Sequence, residues 1–448
     1  MPAPNSSADL TAPGRLRLIL RAFKYRNYRL FFVGQGISLI GTWMQMIAMS
    51  WLVYRLTDSA FLLGLVAFLG QIPGLAISPF AGVLADRRDR RRILYLTQGF
   101  SMAQAVTLTI LSFTGAVTVW QITLLALWLG LANAFDIPTR QAFLLDMVEN
   151  REDLPNAIAL NSSLFNSARL LGPALAGVLI AAAGESICFL LNALSYGAVL
   201  LALAAMRLPP KVRAQRHPSV LEGLKEGVRY AFGFSPIRAI LLLMALTSLM
   251  GMPLLVLLPV LAKKVFGGGS HTYGFLMTSL GGGALAGAVY LASRRSVLGL
   301  GRWVARASVI FALGLIAVAF SRWLWLSLPL LAVTGFGMMM QMASSNTLLQ
   351  TLADDDKRGR IMSLFTMSFM GMLPFGSLLA GALADRIGAP GTIALGGGVC
   401  LLSALAFGAY LPRFRTHVHP LYVKMGIIKE VAAALETADE PAAGMEGR

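Results

Sequence analysis

Most of this chain is apolar, so the few charged residues set among apolar runs are where chemistry has to be sought. One such run ends in Gly82-Val83-Leu84-Ala85-Asp86-Arg87-Arg88-Asp89-Arg90-Arg91-Arg92. Asp86 offers a carboxylate able to sit on the positive N-terminal end of a neighbouring helix. Arg87, Arg90 and Arg91 can contact phosphates or other carboxylates, and Gly82 lets two helices approach closely. A loop that only sets topology would account for the arginines, but not for Gly82 and Asp86 at this spacing. The pattern is that of a latch, and these five residues are assigned to gating. Asp136 and Arg140, closing another apolar run, join them. So do Gly172, Pro173 and Gly177, because a proline inside a span frees a carbonyl and bends the helix while glycines permit tight contact.

A second set of polar residues lies within the runs themselves. Arg169 stands near the middle of one, where an ionised group is expensive enough to demand a reason. Ser162, Asn166 and Arg169 follow spacings of four and three and share one helix face. Gln35, Ser38, Thr42 and Gln45 form a similar stripe. Both stripes fit a central cavity, and hydrogen bonding between helices is the alternative for the glutamines and serines. For Arg169 two roles fit: a cavity cation attracting anionic or polar groups of a substrate, or a structural pair with Asp136 or Asp146. Methionines crowd the second half, and flexible polarizable side chains suit varied apolar ligands, although methionine also faces lipid. The candidate substrate-binding residues are Gln35, Thr42, Gln45, Asn166, Arg169, Met338, Gln341, Met367 and Met370.

Other chemistries lack their residues. His217, His271, His417 and His419 have no cysteine or carboxylate at metal-ligand spacing, so no metal and no cofactor is expected. A Walker-type Gly-Lys-Ser/Thr is absent, and no nucleophile–base set falls within the runs, so an enzyme is not expected. Cys188 and Cys400 sit inside hydrophobic runs and read as small buried hydrophobes. The net charge of +17 is spread over short segments and forms no basic domain, which argues against nucleic acid.

The elements that must position these residues follow from composition. The 448 residues are 56% hydrophobic and 13% charged, more apolar surface than a soluble domain of this length can hide. A lipid bilayer is the solvent that fits, and a spanning helix needs about 20 apolar residues. Runs at 29–53, 59–84, 93–114, 117–137, 157–182, 185–206, 237–262, 272–293, 303–320, 323–349, 361–384 and 390–410 predict twelve. With the N-terminus inside, 32 of the 38 Lys and Arg fall in inner segments and five in outer ones, which predicts both termini in the cytoplasm. No cleavable leader is expected, because the first run is long enough to remain as an anchor.

The organisation reads as a tail (1–28), a six-helix bundle (29–206), a linker (207–236), a second bundle (237–410) and a tail (411–448). Within the linker, Val220, Leu221, Leu224, Val228 and Phe232 recur at helical spacing and predict an amphipathic helix at the inner interface. The halves are related. Gly172, Gly177 and Gly184 shifted by 204 fall on Gly376, Gly381 and Gly388, and Gly130 shifted by 205 falls on Gly335. Parallel repeats of this kind place a substrate site at their interface, near the midplane. The fold class expected is an all-α membrane protein of two pseudo-symmetric six-helix bundles.

The Gly82–Arg92 loop resembles the signature between helices 2 and 3 of the major facilitator superfamily, and Leu171-Gly172-Pro173-Ala174-Leu175-Ala176-Gly177 resembles the fifth-helix motif of its antiporters, with Ala176 where a second glycine is common. Arg26-Asn27-Tyr28-Arg29, Gly41-Thr42-Trp43-Met44-Gln45, Trp51-Leu52-Val53-Tyr54 and Asp136-Ile137-Pro138-Thr139-Arg140 are similar to the drug:proton antiporter branch that includes enterobactin exporters and macrolide efflux proteins. The second-half loop from Ser293 to Arg302 lacks the Asp, and the fourth span lacks the arginine of many proton antiporters. The resemblance implies the major facilitator fold, docking of Asp86 on the helix starting near Ile361, and a monomer. It also implies export of a small-molecule substrate from a bacterial-type inner membrane with the proton as coupling ion; uptake of a small metabolite on the same fold is the alternative, and after it a non-transporting membrane sensor.

Overall fold

In hydrocarbon a backbone N–H or C=O has no water to bond, so a chain this apolar must satisfy each one within its own helices. The structure, a computed structural model, describes residues 20–207, 228–294, 298–354 and 357–424, and the side chains of Gly82, Asp86 and Arg87 also lie outside the described set. The first half comprises α1 (Arg26–Thr57), α2 (Ala60–Arg87), α3 (Arg90–Phe113), α4 (Val119–Met147), α5 (Leu154–Ala183) and α6 (Glu185–Ala205). The second comprises α7 (Ser235–Val265), α8 (Ser270–Ala292), α9 (Leu300–Phe320), α10 (Leu324–Leu352), α11 (Arg358–Met370) and α12 (Leu373–Lys424). Among the described residues ten segments are long and apolar enough to cross a membrane. The last of these contains a break at Gly388, and α3 is a further bundle helix carrying three arginines in its first turn. The architecture is consistent with twelve spans.

Helix ends are fixed by local chemistry. Asp89 caps α3, accepting the Arg91 N–H at 2.9 Å, and Ser59 caps α2 through the Leu62 N–H at 3.2 Å. Thr118 and Gln121 close a reciprocal box at the start of α4. Helix α7 is interrupted by two π turns, Thr247–Gly251 and Leu261–Val265, flanking Pro253 and Pro259. Gly371 and Met372 separate α11 from α12 just ahead of Pro374, whose ring cannot continue the ladder. Helix α12 runs on to Lys424, past the expected end of the bundle at 410. Phe407, Phe414, Val418 and Tyr422 recur on one buried face and account for the extension. Of the predicted linker helix, 228–233 is helical with Val228 and Phe232 exposed, and 217–227 lies outside the described residues.

The matched glycines occupy matched places. Gly172 packs on Trp43 of α1, and Gly376 packs on the Leu249 backbone of α7. A Cβ on Gly177 would stand 2.8 Å from the Gly274 Cα on α8; one on Gly381 would stand 3.1 Å from the Gly64 Cα on α2. Gly184 and Gly388 both have positive φ, 79° and 78°, and turn the chain into the last helix of each half. The two halves therefore share both sequence offset and geometry, and they meet through α2 against the first limb of α12 and α5 against α8.

Candidate functional site between the halves

Among the described residues, contacts joining the halves gather at the end opposite the chain termini. The Asp385 carboxylate, on α12, accepts the backbone N–H groups of Ala60 at 3.0 Å and Phe61 at 3.3 Å, and the Ser59 hydroxyl at 3.2 Å. It thus sits on the N-terminus of α2, where unsatisfied donors and the helix dipole both favour an anion. Lys263 bonds Asp58 at 2.6 Å and lies over the Tyr54 ring. That bond holds the Asp58 carboxyl below the usual carboxylate range. Deeper in, Trp51 stacks on Tyr273 and Phe68 meets Phe375 edge-on.

At the middle of α5 the interface becomes polar. Arg169 lies between α1, α8 and α10, with its guanidinium over the Trp43 ring at 5.9 Å and 4.0 Å from the Met338 sulfur. Asn166, one turn away, turns back to bond the Ser162 carbonyl at 2.9 Å. The carboxylates considered as partners of Arg169 are engaged elsewhere: Asp136 faces Arg140 at 3.6 Å, and Asp146 pairs with Arg90 at 3.1 Å.

The other predicted site residues are distributed as follows. Gln45 is buried, donating to Gln104 on α3 at 2.9 Å and accepting from Asn192 on α6 at 2.8 Å. Gln35 is buried as well. In this conformation neither faces a cavity, because bonding between helices of one half uses Gln45 and packing encloses Gln35. Thr42 is half-buried and bonds its own helix at Ser38. Gln341 is buried and donates to Thr247, at the start of the first π turn, at 2.8 Å. Met338 is buried beside Arg169, whereas Met367 and Met370 are exposed on α11.

Several predicted gating residues stitch the first half together. Asp136 accepts the Thr97 hydroxyl at 2.9 Å and the Gln98 amide at 2.7 Å. Arg90 bonds the carbonyls of Ala85 at 3.2 Å and Ala142 at 3.1 Å, and Arg91 reaches Ala204 on α6 at 3.1 Å. Pro173 and Gly177 lie against α8 at Gly274, while Gly172 lies against α1. Asp385, Lys263, Asp58 and Trp43 were not among the predicted site residues. The stretch 380–386, Ala-Gly-Ala-Leu-Ala-Asp-Arg, repeats the pattern of 81–87, Ala-Gly-Val-Leu-Ala-Asp-Arg, and was the available signal for Asp385. An apolar pocket lined by Leu249, Pro253, Leu257, Leu379 and Leu383 lies inside the second half, away from Arg169.

Two related helical halves, packed through four helices around a half-buried cation, define a multi-pass membrane transporter of the major facilitator fold. The chain belongs to the transmembrane secretion effector family, which it matches over residues 20–421. It is similar to the staphyloferrin A transporter of Staphylococcus aureus (strain NCTC 8325 / PS 47), at 29% identity over 82% of this chain and 92% of that one. It is similar also to the multidrug efflux pump Tap of Mycolicibacterium fortuitum, at 26% identity over 85% and 93% of the two chains. Macrolide efflux protein A of Streptococcus pyogenes is 26% identical over 82% and 92%. In fold it resembles a peptide transporter of the POT type (TM-score 0.69, 14% identity, 87% and 95% covered). A bacterial homolog of the lysosomal transporter Spinster, solved inward-facing and unoccupied, aligns with a TM-score of 0.64 at 13% identity, covering 92% and 98%.

Proposed function

We propose that this protein exports small molecules across a bacterial-type plasma membrane, alternately opening each end of the bundle and exchanging substrate for inward-moving protons. The observation that supports the reading best is the interface seen among the described residues: cross-half bonds gather at the α1–α2 end, with a half-buried cation beneath them. The Lys and Arg distribution puts the termini in the cytoplasm. The closed end is then the outer one, and Arg169 is approached from inside, as loading for export requires. The efflux pumps among the relatives and the Gly172-Pro173 pair within α5 favour export over uptake. For the proton we assign Asp136, a carboxylate buried between α3 and α4 with Arg140 on its own helix and Tyr196 on α6 as neighbouring titratable groups.

The reading is tested with cells expressing the protein and loaded with a fluorescent drug. They should stay dim while the proton gradient stands and fill when an uncoupler collapses it. Cells that instead fill only with the gradient intact would make the protein an importer.

A further inference from the structure

Arg169 is a cation to which the described residues provide no anion. It lies at the midpoint of α5 between the halves, yet it keeps part of its surface accessible, as a side chain lining an open space does. Around the guanidinium stand the Trp43 ring and the Met338 sulfur, neither of them charged, while the Arg169 backbone packs on α8 at Gly281. Among the described residues no carboxylate lies within ion-pair distance of it. A guanidinium presents five N–H donors in a planar fork, and leaving such a group uncompensated at mid-membrane depth is costly. Stacking on an aromatic face offsets part of that cost and satisfies none of the donors.

We propose that Arg169 receives a carboxylate of the transported molecule, so that the substrate class is an organic anion whose apolar body lies against Trp43, Phe165 and Met338. The proposal rests on the transporter reading above. Carboxylate geometry matches the guanidinium fork through two parallel hydrogen bonds. A phosphate monoester carries close to two charges, and Arg169 is the sole Lys or Arg away from the ends of the predicted spans, so a second compensating cation at its depth is missing. Trp43 and Phe165 meet edge-on at 5.9 Å and form an aromatic wall beside the cation, suited to a flat or branched apolar body.

The test uses the purified full chain in lipid nanodiscs, titrated with benzoate and with benzamide, similar in shape and different in charge. Thermal midpoint and tryptophan emission are read together, with Trp43→Phe assigning the emission change. Wild type should prefer benzoate by about tenfold, the worth of one net charged contact. Arg169→Met should bind the two probes alike, and Arg169→Lys should retain part of the preference. A wild-type protein that does not distinguish benzoate from benzamide overturns the proposal, as does an undiminished preference in Arg169→Met. Binding is indifferent to direction. A benzoate preference in a protein that fails the uncoupler test would therefore keep the anion site and reject export.

Discussion

The Asp385 carboxylate accepts the Ala60 backbone N–H at 3.0 Å, tying the first limb of α12 to the first turn of α2 across the interface between halves. The two helices run antiparallel, and each ends in the same pattern: Ala81 to Arg87 on α2, Ala380 to Arg386 on α12. Asp385 thus holds, at one end of the bundle, the position that the sequence predicts for Asp86 at the other. A transporter that opens its ends in turn needs contacts that are made in one state and broken in the other. The Asp385 contact has that character, since it spans the halves and is exposed.

Asp385→Asn keeps the side chain's shape and removes its charge. A carboxylate at an exposed helix N-terminus contributes about 0.3–1 kcal/mol, so the state closed at this end should lose up to about fivefold in population. Labelling of a cysteine placed at Ala60 by a membrane-impermeant thiol reagent should speed up correspondingly. Unchanged labelling would show that glycine packing alone holds this end.

Gly177 and Gly274 set how closely α5 and α8 can approach. A Cβ on Gly177 would lie 2.8 Å from the Gly274 Cα, against backbone that has no rotamer to escape through. Gly177→Ala should therefore push the helices apart at a cost of about 1–3 kcal/mol in the closed state. Spin labels on the α5–α6 turn and on the loop before α8 should report a longer mean distance, with uphill transport reduced and the amount of protein in the membrane unchanged. The matched change Gly381→Ala should act in the same direction through α2.

The fold was legible because hydropathy, the Gly repeat and the positions of Lys and Arg all constrain it independently. Gly184 and Gly388 show this best: a sequence offset of 204 corresponds to two turns of nearly equal backbone geometry. Arg169 stands out in the sequence as a charge in an apolar run, and the structure adds its place between the halves beside Trp43 and Met338. Gln45 and Gln341 were much less legible. A polar stripe on one helix face has the same spacing whether it meets a cavity or a neighbouring helix, and only the positions of Gln104, Asn192 and Thr247 decide. Asp385 carried one signal, the repeat of 81–87 at 380–386; its partner is backbone, the N–H groups of α2, so no complementary side chain pointed to the contact.

The closed end should be insensitive to mild acid. The hydrogen bond from Lys263 holds the Asp58 carboxyl below its ordinary value of 3.8, and the charges of Lys263 and Lys264 act in the same direction. A carboxyl lowered in the folded state contributes stability above its unfolded value and loses that contribution only as pH falls through the lowered one. The window therefore lies below 3.8. Thiol labelling at Ala60, taken relative to the same cysteine in unfolded protein at each pH so that thiolate ionisation cancels, should run at one relative rate across about pH 5 to 8, and Asp58→Asn should raise it throughout that range. A relative rate that climbs between neutral and mildly acid pH would place a titrating group in this contact.

Asp136 is the residue where coupling and mere cohesion can be separated. One carboxylate oxygen accepts from Thr97 and Gln98 on α3, and the other faces Arg140 on its own helix. Cohesion of α3 with α4 needs only acceptors there; proton coupling needs a group that gains and loses a proton. Asp136→Asn retains an acceptor and cannot titrate. In proteoliposomes it should still pass a fluorescent dye down its own gradient, while uphill movement driven by an imposed pH gradient falls by at least about tenfold, as for other positioned acid–base groups. Thr97→Val supplies the contrast. It removes one hydrogen bond at about 1 kcal/mol of stability, leaves the carboxylate, and should lower the thermal midpoint without uncoupling. Uphill transport at the wild-type rate in Asp136→Asn would mean that this carboxylate holds two helices together and that the proton is carried elsewhere.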